Sequence, residues 1–334
     1  MFDVVTIGTA TRDAFLTGAG IKVLKDPKHL KEIGFAEGEA ECFALGAKLE
    51  VDEPLFTVGG GAANAAVTFA RQGWKTAALV RVGNDEAGGA IIRHLGAERV
   101  KVLAVEDKTK RTAYSTILLT GAGERTVLVH RGAAEGWRER DMSPRKLQAR
   151  WLYIAPGTIP LNLMQNVIRQ AKARGSQVAM NPSGAYAALG AVRLKPLLAL
   201  LDVVVVNREE ASLLTGVEYR NVRGIFKKFD DLVPGIAVMT DGPRGAFVSD
   251  GKYLYTAGIF KEKKLVDRTG AGDAFGAGFV AGLMRKHDVH YALRLAAANA
   301  TSVVERVGAE TGILRQKDLV GKRWRYLDLG VEPL

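Results

Sequence analysis

The sequence contains a single cysteine, Cys42, in 334 residues, and only five histidines. One cysteine cannot form a disulfide within the chain, nor can it supply a cysteine-based zinc or iron–sulfur site. The histidines lack metal-ligand spacing, which argues against a histidine metal centre. These absences exclude a disulfide-stapled scaffold and agree with a reducing compartment.

No hydrophobic run is long enough to cross a membrane. The most apolar stretch, residues 197–206, contains Asp202 and is far shorter than the roughly 20 residues that a spanning helix needs. Residues 1–8 have the character of a buried strand, without the basic start and apolar core of a signal peptide. We therefore expect no membrane association and a cytoplasmic location.

Basic residues outnumber acidic ones by 47 to 36, which gives a formal net charge of +11. Such a charge invites a nucleic-acid-binding interpretation. However, the lysines near the N-terminus recur every three residues, as on one solvated face: Lys22, Lys25, Lys28 and Lys31. No RNP, zinc-finger or helix-turn-helix signature accompanies the basic clusters. We favour a solvated surface and predict no nucleic-acid partner, with attraction of an anionic substrate or polymer as the alternative.

Short β-branched runs alternate with longer amphipathic segments along most of the chain. The candidate strands are residues 3–8, 76–82, 151–155, 177–181, 203–207 and 236–241. The candidate helices are residues 62–72, 86–94, 160–173, 193–200, 209–215, 273–286 and 291–304. This rhythm predicts an α/β fold with a doubly wound, mostly parallel sheet that helices cover on both faces.

Two regions interrupt this rhythm with strand pairs that lack crossover helices. The pairs are residues 112–119 with 125–130, joined by Thr-Gly-Ala-Gly-Glu at 120–124, and residues 40–49 with 54–58. We interpret both as parts of a small β-sheet, the lid, standing off the main domain. The lysine-rich residues 18–39 are interpreted as a surface excursion. With no repeat or linker, we predict one domain over residues 1–334, with lid strands inserted at about 14–58 and 109–135.

The strongest motif is Asp-Arg-Thr-Gly-Ala-Gly-Asp at residues 267–273, where a strand ends and a helix of small residues begins. Gly270, Ala271 and Gly272 carry almost no side chain, so their amides can approach a ligand, and a helix N-terminus favours an anion. Asp273 at this junction can accept a proton from a hydroxyl while the amides stabilise phosphoryl charge. The alternative is an Asp helix cap followed by close Gly/Ala packing; we favour function.

A second motif, Gly-Gly-Gly-Ala-Ala-Asn, occupies residues 59–64. Asn64 lies in the first turn of a predicted helix, where its amide can donate to and accept from substrate hydroxyls. A tight turn with a tolerated Asn is an equally weighted alternative. A dinucleotide fingerprint fits poorly because Asn64 occupies the third glycine position, and a Walker A sequence is absent.

Three further candidates lie at the predicted carboxyl ends of strands, where open α/β sheets bind ligands. Asp13 can fix two sugar hydroxyls, although a lone Asp there is more often a turn residue. Asn207 and Glu210 have the spacing of a capping box, which we favour over a place near metal-bound water. Thr240, with the turn that follows it, can hold phosphate, but turns of this kind are common.

Taken in order, these segments resemble the ribokinase-like (PfkB) carbohydrate kinase family over residues 13–312. Residues 59–64 are similar to the family's Gly-Gly-x-x-Ala-Asn motif, and residues 267–273 to its Asp-x-x-Gly-Ala-Gly-Asp motif. Asn-x-x-Glu at 207–210 and Thr-x-Gly-x-x-Gly at 240–245 match two more family patterns. The resemblance implies a doubly wound α/β domain with a β lid, and transfer of the ATP γ-phosphoryl group to an alcohol.

The resemblance also implies roles for individual residues. Asp273 is expected to be the general base, with the amides of Gly270, Ala271 and Gly272 as an anion hole. The acceptor is expected at Asp13, Gly60, Gly61 and Asn64, with Tyr114 and Arg131 of the lid, and the nucleotide at Asn207, Thr240, Gly242, Gly245 and Asn299. Mg²⁺ is expected near Asn207 and Glu210, and a monovalent cation such as K⁺ at Asp267 and Thr269.

The acceptor class stays open at this stage. Gly61 stands where ribokinases often carry Lys, and the segment before the glycine motif is longer than expected. Tyr114 and Arg131 suit a carboxylate, as in 2-keto-3-deoxygluconate kinases, or a phosphate, as in phosphosugar kinases, or are ordinary lid surface; Tyr114 also suits a nucleobase, as in a nucleoside kinase of the adenosine or cytidine type. We favour a sugar kinase that forms a homodimer through the lid. A non-catalytic nucleotide- or sugar-binding protein is the alternative from another class.

Overall fold

The computed structural model describes residues 1–18, 22–35, 38–119 and 125–334. Its strands, in chain order, are β1 (Phe2–Gly8), β2 (Thr11–Leu16), β3 (Lys22–Lys25), β4 (Glu39–Cys42), β5 (Leu55–Gly59), β6 (Thr76–Gly83), β7 (Lys101–Asp107), β8 (Tyr114–Leu119), β9 (Arg125–His130), β10 (Ala149–Ala155), β11 (Gln177–Met180), β12 (Val203–Asn207), β13 (Ile236–Thr240), β14 (Ala246–Ser249), β15 (Tyr253–Ala257) and β16 (Leu329–Pro333). Its helices are α1 (Pro27–Glu32), α2 (Gly61–Arg71), α3 (Glu86–Ala97), α4 (Leu161–Ala173), α5 (Gly184–Ala187), α6 (Gly190–Leu198), α7 (Arg208–Thr215), α8 (Val222–Asp230), α9 (Ala271–Lys286) and α10 (Val289–Val304).

Ten strands form the central sheet, in the order β16-β15-β14-β13-β12-β11-β10-β1-β6-β7. The strands from β7 to β13 run parallel, and β14, β15 and β16 add an antiparallel edge. Along the chain, β6 and β7 are added on one side of β1. Strand β10 then pairs with the other side of β1, and the later strands extend the sheet from there. The predicted doubly wound α/β fold is confirmed, and ligands bind such sheets where the strand order reverses, here beside β1 and β10.

Helices cover both faces of this sheet. One apolar core packs α4, α6, α7 and α8 against it, and two others pack α9, α10, α2 and α3 on the opposite side. Strand β6 is buried along its whole length, which is why such strands appear in the sequence as continuous apolar runs. No helix of the described ranges is long and apolar enough to cross a membrane.

Helices α9 and α10 pack closely because α9 carries glycines at the contact. A Cβ at Gly278 would lie 3.1 Å from the Cα of Ala296, and one at Gly282 would lie 2.6 Å from the Cα of Ala292. The small residues that follow Asp273 in the sequence therefore have a packing role. That contact fixes the direction of α9, and with it the place of the motif at its N-terminus.

The lid is a separate four-stranded sheet in the order β5-β2-β8-β9. The predicted antiparallel pair of β8 and β9 is present, and its connection at residues 120–124 lies outside the described residues. The predicted pairing of residues 40–49 with 54–58 is wrong. Strand β5 pairs with β2, and β4 pairs with β3 in a two-stranded sheet, where Cys42 is exposed.

Strand pairing joins residues far apart in the chain, so the hydrophobic pattern of each segment did not identify its partner. The predicted surface excursion at residues 18–39 contains β3 and α1, and its residues 19–21 and 36–37 lie outside the described ranges. The division of the chain into one domain with lid insertions at about 14–58 and 109–135 stays a prediction.

Candidate active site

The two glycine-containing motifs meet at the N-termini of α2 and α9. Asn64, in the first turn of α2, donates from its side-chain amide to Oδ2 of Asp273 in the first turn of α9, at 2.8 Å. A Cβ at Gly61 would lie 2.8 Å from the Cβ of Ala155 and 3.3 Å from Oδ1 of Asp273. Bare backbone is therefore needed at position 61 for these two helix ends to approach each other.

One polar atom of the Asn64 side chain has no hydrogen-bond partner among the described residues. The side chain is only 3% exposed, and the atom in question, Oδ1, is buried. An unsatisfied buried acceptor is costly, so a ligand hydroxyl that donates to this oxygen would remove a penalty. Asn64 can thus orient Asp273 with its amide nitrogen and a ligand with its oxygen.

Asp273 lies in an environment that makes its carboxylate a stronger base. Burial raises its pKa above the ordinary value, and the hydrogen bond from Asn64 partly opposes this. The hydroxyl of Tyr153 on β10 is buried nearby; burial and the Asp273 charge raise the pKa of that phenol. A carboxylate held at a helix N-terminus in such a site suits proton acceptance from a hydroxyl.

Gly270 forms the turn that opens α9. Its φ is +78°, in the left-handed region, and it caps the helix. A Cβ at this position would lie 2.7 Å from the Cα of Ala309, so a side chain is excluded by backbone. The first N–H groups of a helix have no partner within it. That of Ala271 donates to the carbonyl of Arg268 at 3.3 Å, and the space beside Gly272 is open, since a Cβ there would meet nothing within 4 Å.

Asp267 stabilises this turn through hydrogen bonds to its carboxylate. It is fully buried, and its Oδ1 accepts from the backbone N–H of Thr269 at 2.9 Å and from the Thr269 hydroxyl at 2.6 Å. Its Oδ2 accepts from the N–H of Gly308 at 3.0 Å. The residues predicted at a monovalent-cation site are therefore neighbours, and they form part of the scaffold of the α9 N-terminus.

A cavity of about 120 Å³ lies against this N-terminus. Its lining joins Thr240, Gly242 and Gly245 to Ala271 and Gly272. A second cavity, of about 280 Å³, shares part of that lining and continues among mainly apolar side chains, namely Pro243, Ile259, Phe260, Leu265 and Val304. A helix N-terminus at one end and an apolar extension at the other suit a nucleotide with its phosphates at the helix.

Asn207 and Glu210 form the capping box that their spacing predicts. Oδ1 of Asn207 accepts from the N–H of Glu210 at 2.8 Å, and Oε2 of Glu210 accepts from the N–H of Asn207 at 3.1 Å. Burial raises the pKa of Glu210, and the nearby charge of Asp273 adds to that effect. Glu210 therefore caps α7, and it also lies close enough to Asp273 for that charge to affect its pKa.

Asp13 lies within lid strand β2, so its interpretation as a turn residue is wrong. Its Oδ1 accepts from the Thr11 hydroxyl at 2.8 Å, and a Cβ at Gly59 would overlap its other oxygen, with the Asp13 Cγ 3.0 Å away. Burial raises the pKa of Asp13, and the charge of Asp267 contributes. The structure thus brings Asp13 beside the glycine motif and near the α9 turn.

The profile of the pfkB family carbohydrate kinases matches residues 33–316. The chain belongs to this family. Among curated relatives it is 29% identical to the ribokinase of Haemophilus influenzae over 270 residues, covering 78% of this chain and 86% of that one. It is 27% identical to the cytidine kinase of Thermococcus kodakarensis over 257 residues, covering 75% and 88%. The protein is therefore a phosphotransferase with a hydroxyl acceptor, a carbohydrate or nucleoside kinase.

Solved structures agree on the fold. The structure of Arabidopsis thaliana ribokinase complexed with ribose and ATP matches with a TM-score of 0.75 and 22% identity, covering 97% of this kinase and 99% of that chain. A probable sugar kinase from Rhizobium etli matches with a TM-score of 0.78 and 21% identity, covering 96% and 98%. At these identities the similarity establishes the ribokinase-like architecture.

Asn299 of the kinase is not among the described residues that line the cavities beside the α9 N-terminus. It is fully buried in α10, and its Nδ2 donates to the carbonyl of Ala274 at 2.9 Å and to the Thr68 hydroxyl at 3.4 Å. Its Oδ1 accepts from the N–H of Leu314 at 2.9 Å. The predicted nucleotide contact is corrected to a structural role, because its amide groups are used inside the core.

Tyr114 and Arg131 lie at the same end of the β8–β9 strand pair. Tyr114 begins β8 and pairs with His130 of β9, whereas Arg131 follows that strand and lies 4.0 Å from Glu135. Arg131 lines an open cavity of about 530 Å³ together with Lys110 and other residues. This basic cavity shares no described lining residue with the two cavities beside the α9 N-terminus, so the structure does not join Arg131 directly to the centre around Asp273.

The loop that follows α10 was not identified from the sequence. The N–H of Gly308 donates to Asp267, and Ala309 packs on Gly270, so this loop supports the turn at the α9 N-terminus. The signal available was the pair of glycines, Gly308 and Gly312, just after a predicted helix. That signal marks a turn, but it does not say which distant segment the turn contacts.

The hydrogen bond from Asn64 predicts a pH effect. It stabilises the charged form of Asp273 and lowers its pKa, so Asn64→Ala should raise that pKa further. If Asp273 must be ionised to act, the acidic limb of the kcat–pH profile then moves to higher pH. Asn221→Ala, which removes an N-cap on α8, is the control and should leave the limb in place. An unmoved limb in Asn64→Ala would contradict the assignment.

Proposed function

We propose that this kinase transfers the γ-phosphoryl group of ATP to a hydroxyl of a sugar, with Asp273 as the general base. The observation that carries the proposal is the hydrogen bond between Asn64 and Asp273 at 2.8 Å. This bond holds the carboxylate of Asp273, whose pKa is raised, between two helix N-termini. One is the glycine motif that opens α2, and the other is the Gly270 turn that opens α9. A hydroxyl bound there has a base on one side and an anion site on the other.

The chemistry follows from these positions. As the acceptor oxygen forms its bond to the γ-phosphorus, Asp273 takes the hydroxyl proton, and the bond to the bridging oxygen breaks to release ADP. General-base help of this kind is worth about 10²–10⁴-fold. The amides of Gly270, Ala271 and Gly272 stabilise the negative charge on the transferred group, and positioning with electrostatics supplies most of the remaining rate.

The acceptor is proposed to lie between Asp13, Gly60 and Asn64. The carboxylate of Asp13 is an acceptor, and so is Oδ1 of Asn64, which has no partner among the described residues. Both suit the several hydroxyls of a sugar. Gly60 has a φ of +95°, and a Cβ there would lie 2.7 Å from the carbonyl oxygen of Thr9, so only glycine keeps the turn. Gly61 likewise has no room for a side chain, which excludes a lysine contact at this position.

The donor is proposed to occupy the joined cavities beside Thr240, Gly242 and Gly245. Among the described residues, no group of three or more His, Cys, Asp or Glu is placed to hold a metal. This fits Mg²⁺, which binds largely through water and substrate phosphates, with Asn207 and Glu210 as its protein neighbours. When bound, Mg²⁺ would neutralise charge on the donor phosphates. A monovalent cation such as K⁺ at Asp267 and Thr269 is proposed from the motif alone.

An ADP-release assay with ATP, Mg²⁺ and a panel of acceptors tests this function. The panel holds pentoses, hexoses, acid sugars, phosphosugars and nucleosides. We expect turnover with a neutral sugar; turnover confined to nucleosides favours the second candidate, a nucleoside kinase, which the similarity to a cytidine kinase supports. Turnover only with acid sugars or phosphosugars would assign Arg131 and Tyr114 to the acceptor. ATP binding without any turnover would identify a non-catalytic binding protein.

We further propose that two copies associate through the lid. The lid exposes large apolar side chains, among them Phe56, Leu128 and Val129, each at least half exposed. Burying such a surface against a second copy would remove it from water. Sedimentation of the pure protein is expected to give a dimer, and Leu128→Lys a monomer; a wild-type monomer at micromolar concentration would contradict the proposal.

A further inference from the structure

A cluster of charged side chains joins three distant parts of the fold behind the candidate active site. Arg71, the last residue of α2, donates from Nε and Nη2 to the carboxylate of Glu98 at 3.0 and 2.7 Å. Its Nη1 donates to the carbonyl oxygens of Glu310 and Ile313 at 2.8 and 2.9 Å. Arg315 lies 3.8 Å from Glu98. The loop at residues 305–315 is thus tied to α2 and α3.

Glu310 is the buried centre of this cluster. It is 4% exposed, and its Oε2 is hydrogen-bonded to Nε2 of His94 on α3. Its Oε1 is buried with no hydrogen-bond partner among the described residues. A carboxylate in that position is costly unless a partner compensates for it, and Glu310 in turn raises the pKa of His94. His94 is therefore the side chain that makes a buried Glu310 tolerable.

The same loop contacts the anion site on its other side. Two residues before Glu310, the N–H of Gly308 donates to Asp267 at 3.0 Å. One residue before it, Ala309 packs on Gly270 so closely that a Cβ at 270 would lie 2.7 Å from the Ala309 Cα. The Gly270 turn therefore lies against a loop that Glu310 fixes in place.

The geometry points to His94 and Glu310 as positioning residues for phosphoryl transfer: their pairing holds the 305–315 loop against Gly270 and so aims the amides at the N-terminus of α9. This inference rests on the proposed function of that turn as the anion hole. Neither side chain is among the described residues that line the two cavities beside the α9 N-terminus, so their effect passes through the loop. Amides that stabilise charge developing in the transition state affect kcat more than KM.

Kinetics of Glu310→Ala, Glu310→Gln and His94→Gln test the inference. Glu310→Ala is expected to lower kcat about ten- to 100-fold, since small misplacements of catalytic groups cost that much, with KM for ATP and acceptor within about twofold. Glu310→Gln keeps the shape and a hydrogen bond to His94, and should recover most of the loss. The control is Glu332→Ala, which removes an exposed carboxylate paired with Arg223 and should leave kcat unchanged.

Hydrogen exchange provides a readout that does not need turnover. In Glu310→Ala, the amides of residues 268–273 should exchange about tenfold faster than in the wild type, whereas Glu332→Ala should not change them. Faster exchange of these amides in a protein without kinase activity would contradict only the proposed function and would leave the positioning role supported. Unchanged exchange and unchanged kcat, measured well below each melting temperature, would overturn the positioning role. If Glu310→Ala fails to fold, His94→Gln carries both measurements, because its side chain is partly exposed.

Discussion

Replacing Asp273 with Asn is expected to lower kcat by at least about 100-fold, the lower end of general-base contributions. Asn has the shape of Asp and can still accept the hydrogen bond from Asn64 through its amide oxygen, so the cleft should keep its geometry. What it loses is the ability to take a proton from the acceptor. The KM for ATP should stay close to that of the wild type, because Asp273 is not among the described residues that line the proposed donor cavity.

Steady-state kinetics at saturating ATP measure this effect, with ATP binding followed by calorimetry as a check on the fold. Asp288→Asn is the matched control, because Asp288 caps α10 by accepting from the N–H of Tyr291 and has no place in the proposed chemistry. Asp273→Asn with turnover near that of the wild type would remove Asp273 from the role of base.

Asp13→Asn is expected to raise the KM for the acceptor by about 10- to 100-fold, since hydrogen bonds to a charged group are worth about 1.5–3 kcal/mol. The carboxylate is buried, and the hydroxyls of Thr11 and Ser115 satisfy part of its accepting capacity, so an acceptor hydroxyl would add to its hydrogen bonding. An amide can accept at only one of its two positions. The KM for ATP should change little.

Initial rates over a matrix of ATP and acceptor concentrations separate the two KM values. The control is Asp52→Asn, because Asp52 is an exposed carboxylate that accepts from the Thr17 hydroxyl at the surface. A variant in which both KM values rise together would indicate a damaged fold, and unchanged acceptor affinity would exclude Asp13 from the acceptor site.

The main sheet was predictable because its central strands are buried on both faces. Residues 203–206 are four consecutive valines, and such runs bounded by helices predict parallel strands. Strand β7 was missed because it is an edge strand, half-buried along most of its length. The antiparallel edge of β14, β15 and β16 was missed too, and the partners of the lid strands could not be assigned because pairing depends on contacts between remote segments.

Some residues of the candidate site were likewise identifiable from the sequence, and others were not. Asp273 and Asn64 were identifiable because each lies in a local motif whose glycines bring backbone close to a ligand. Asn299 was misplaced because the sequence does not distinguish a helix position that faces a cavity from one that faces the core. The role of the 305–315 loop could not be predicted for a further reason. Gly308 and Ala309 matter because they contact Asp267 and Gly270, and those contacts are not encoded in the local sequence of the loop.

The solitary thiol gives this kinase a ready spectroscopic handle. Cys42 is exposed in β4, and no second cysteine exists to compete for a reagent. A maleimide dye or spin label therefore attaches to the unaltered chain at one defined point on the β3–β4 sheet. Movement of that sheet when acceptor or nucleotide is added can be recorded without first engineering a cysteine-free background.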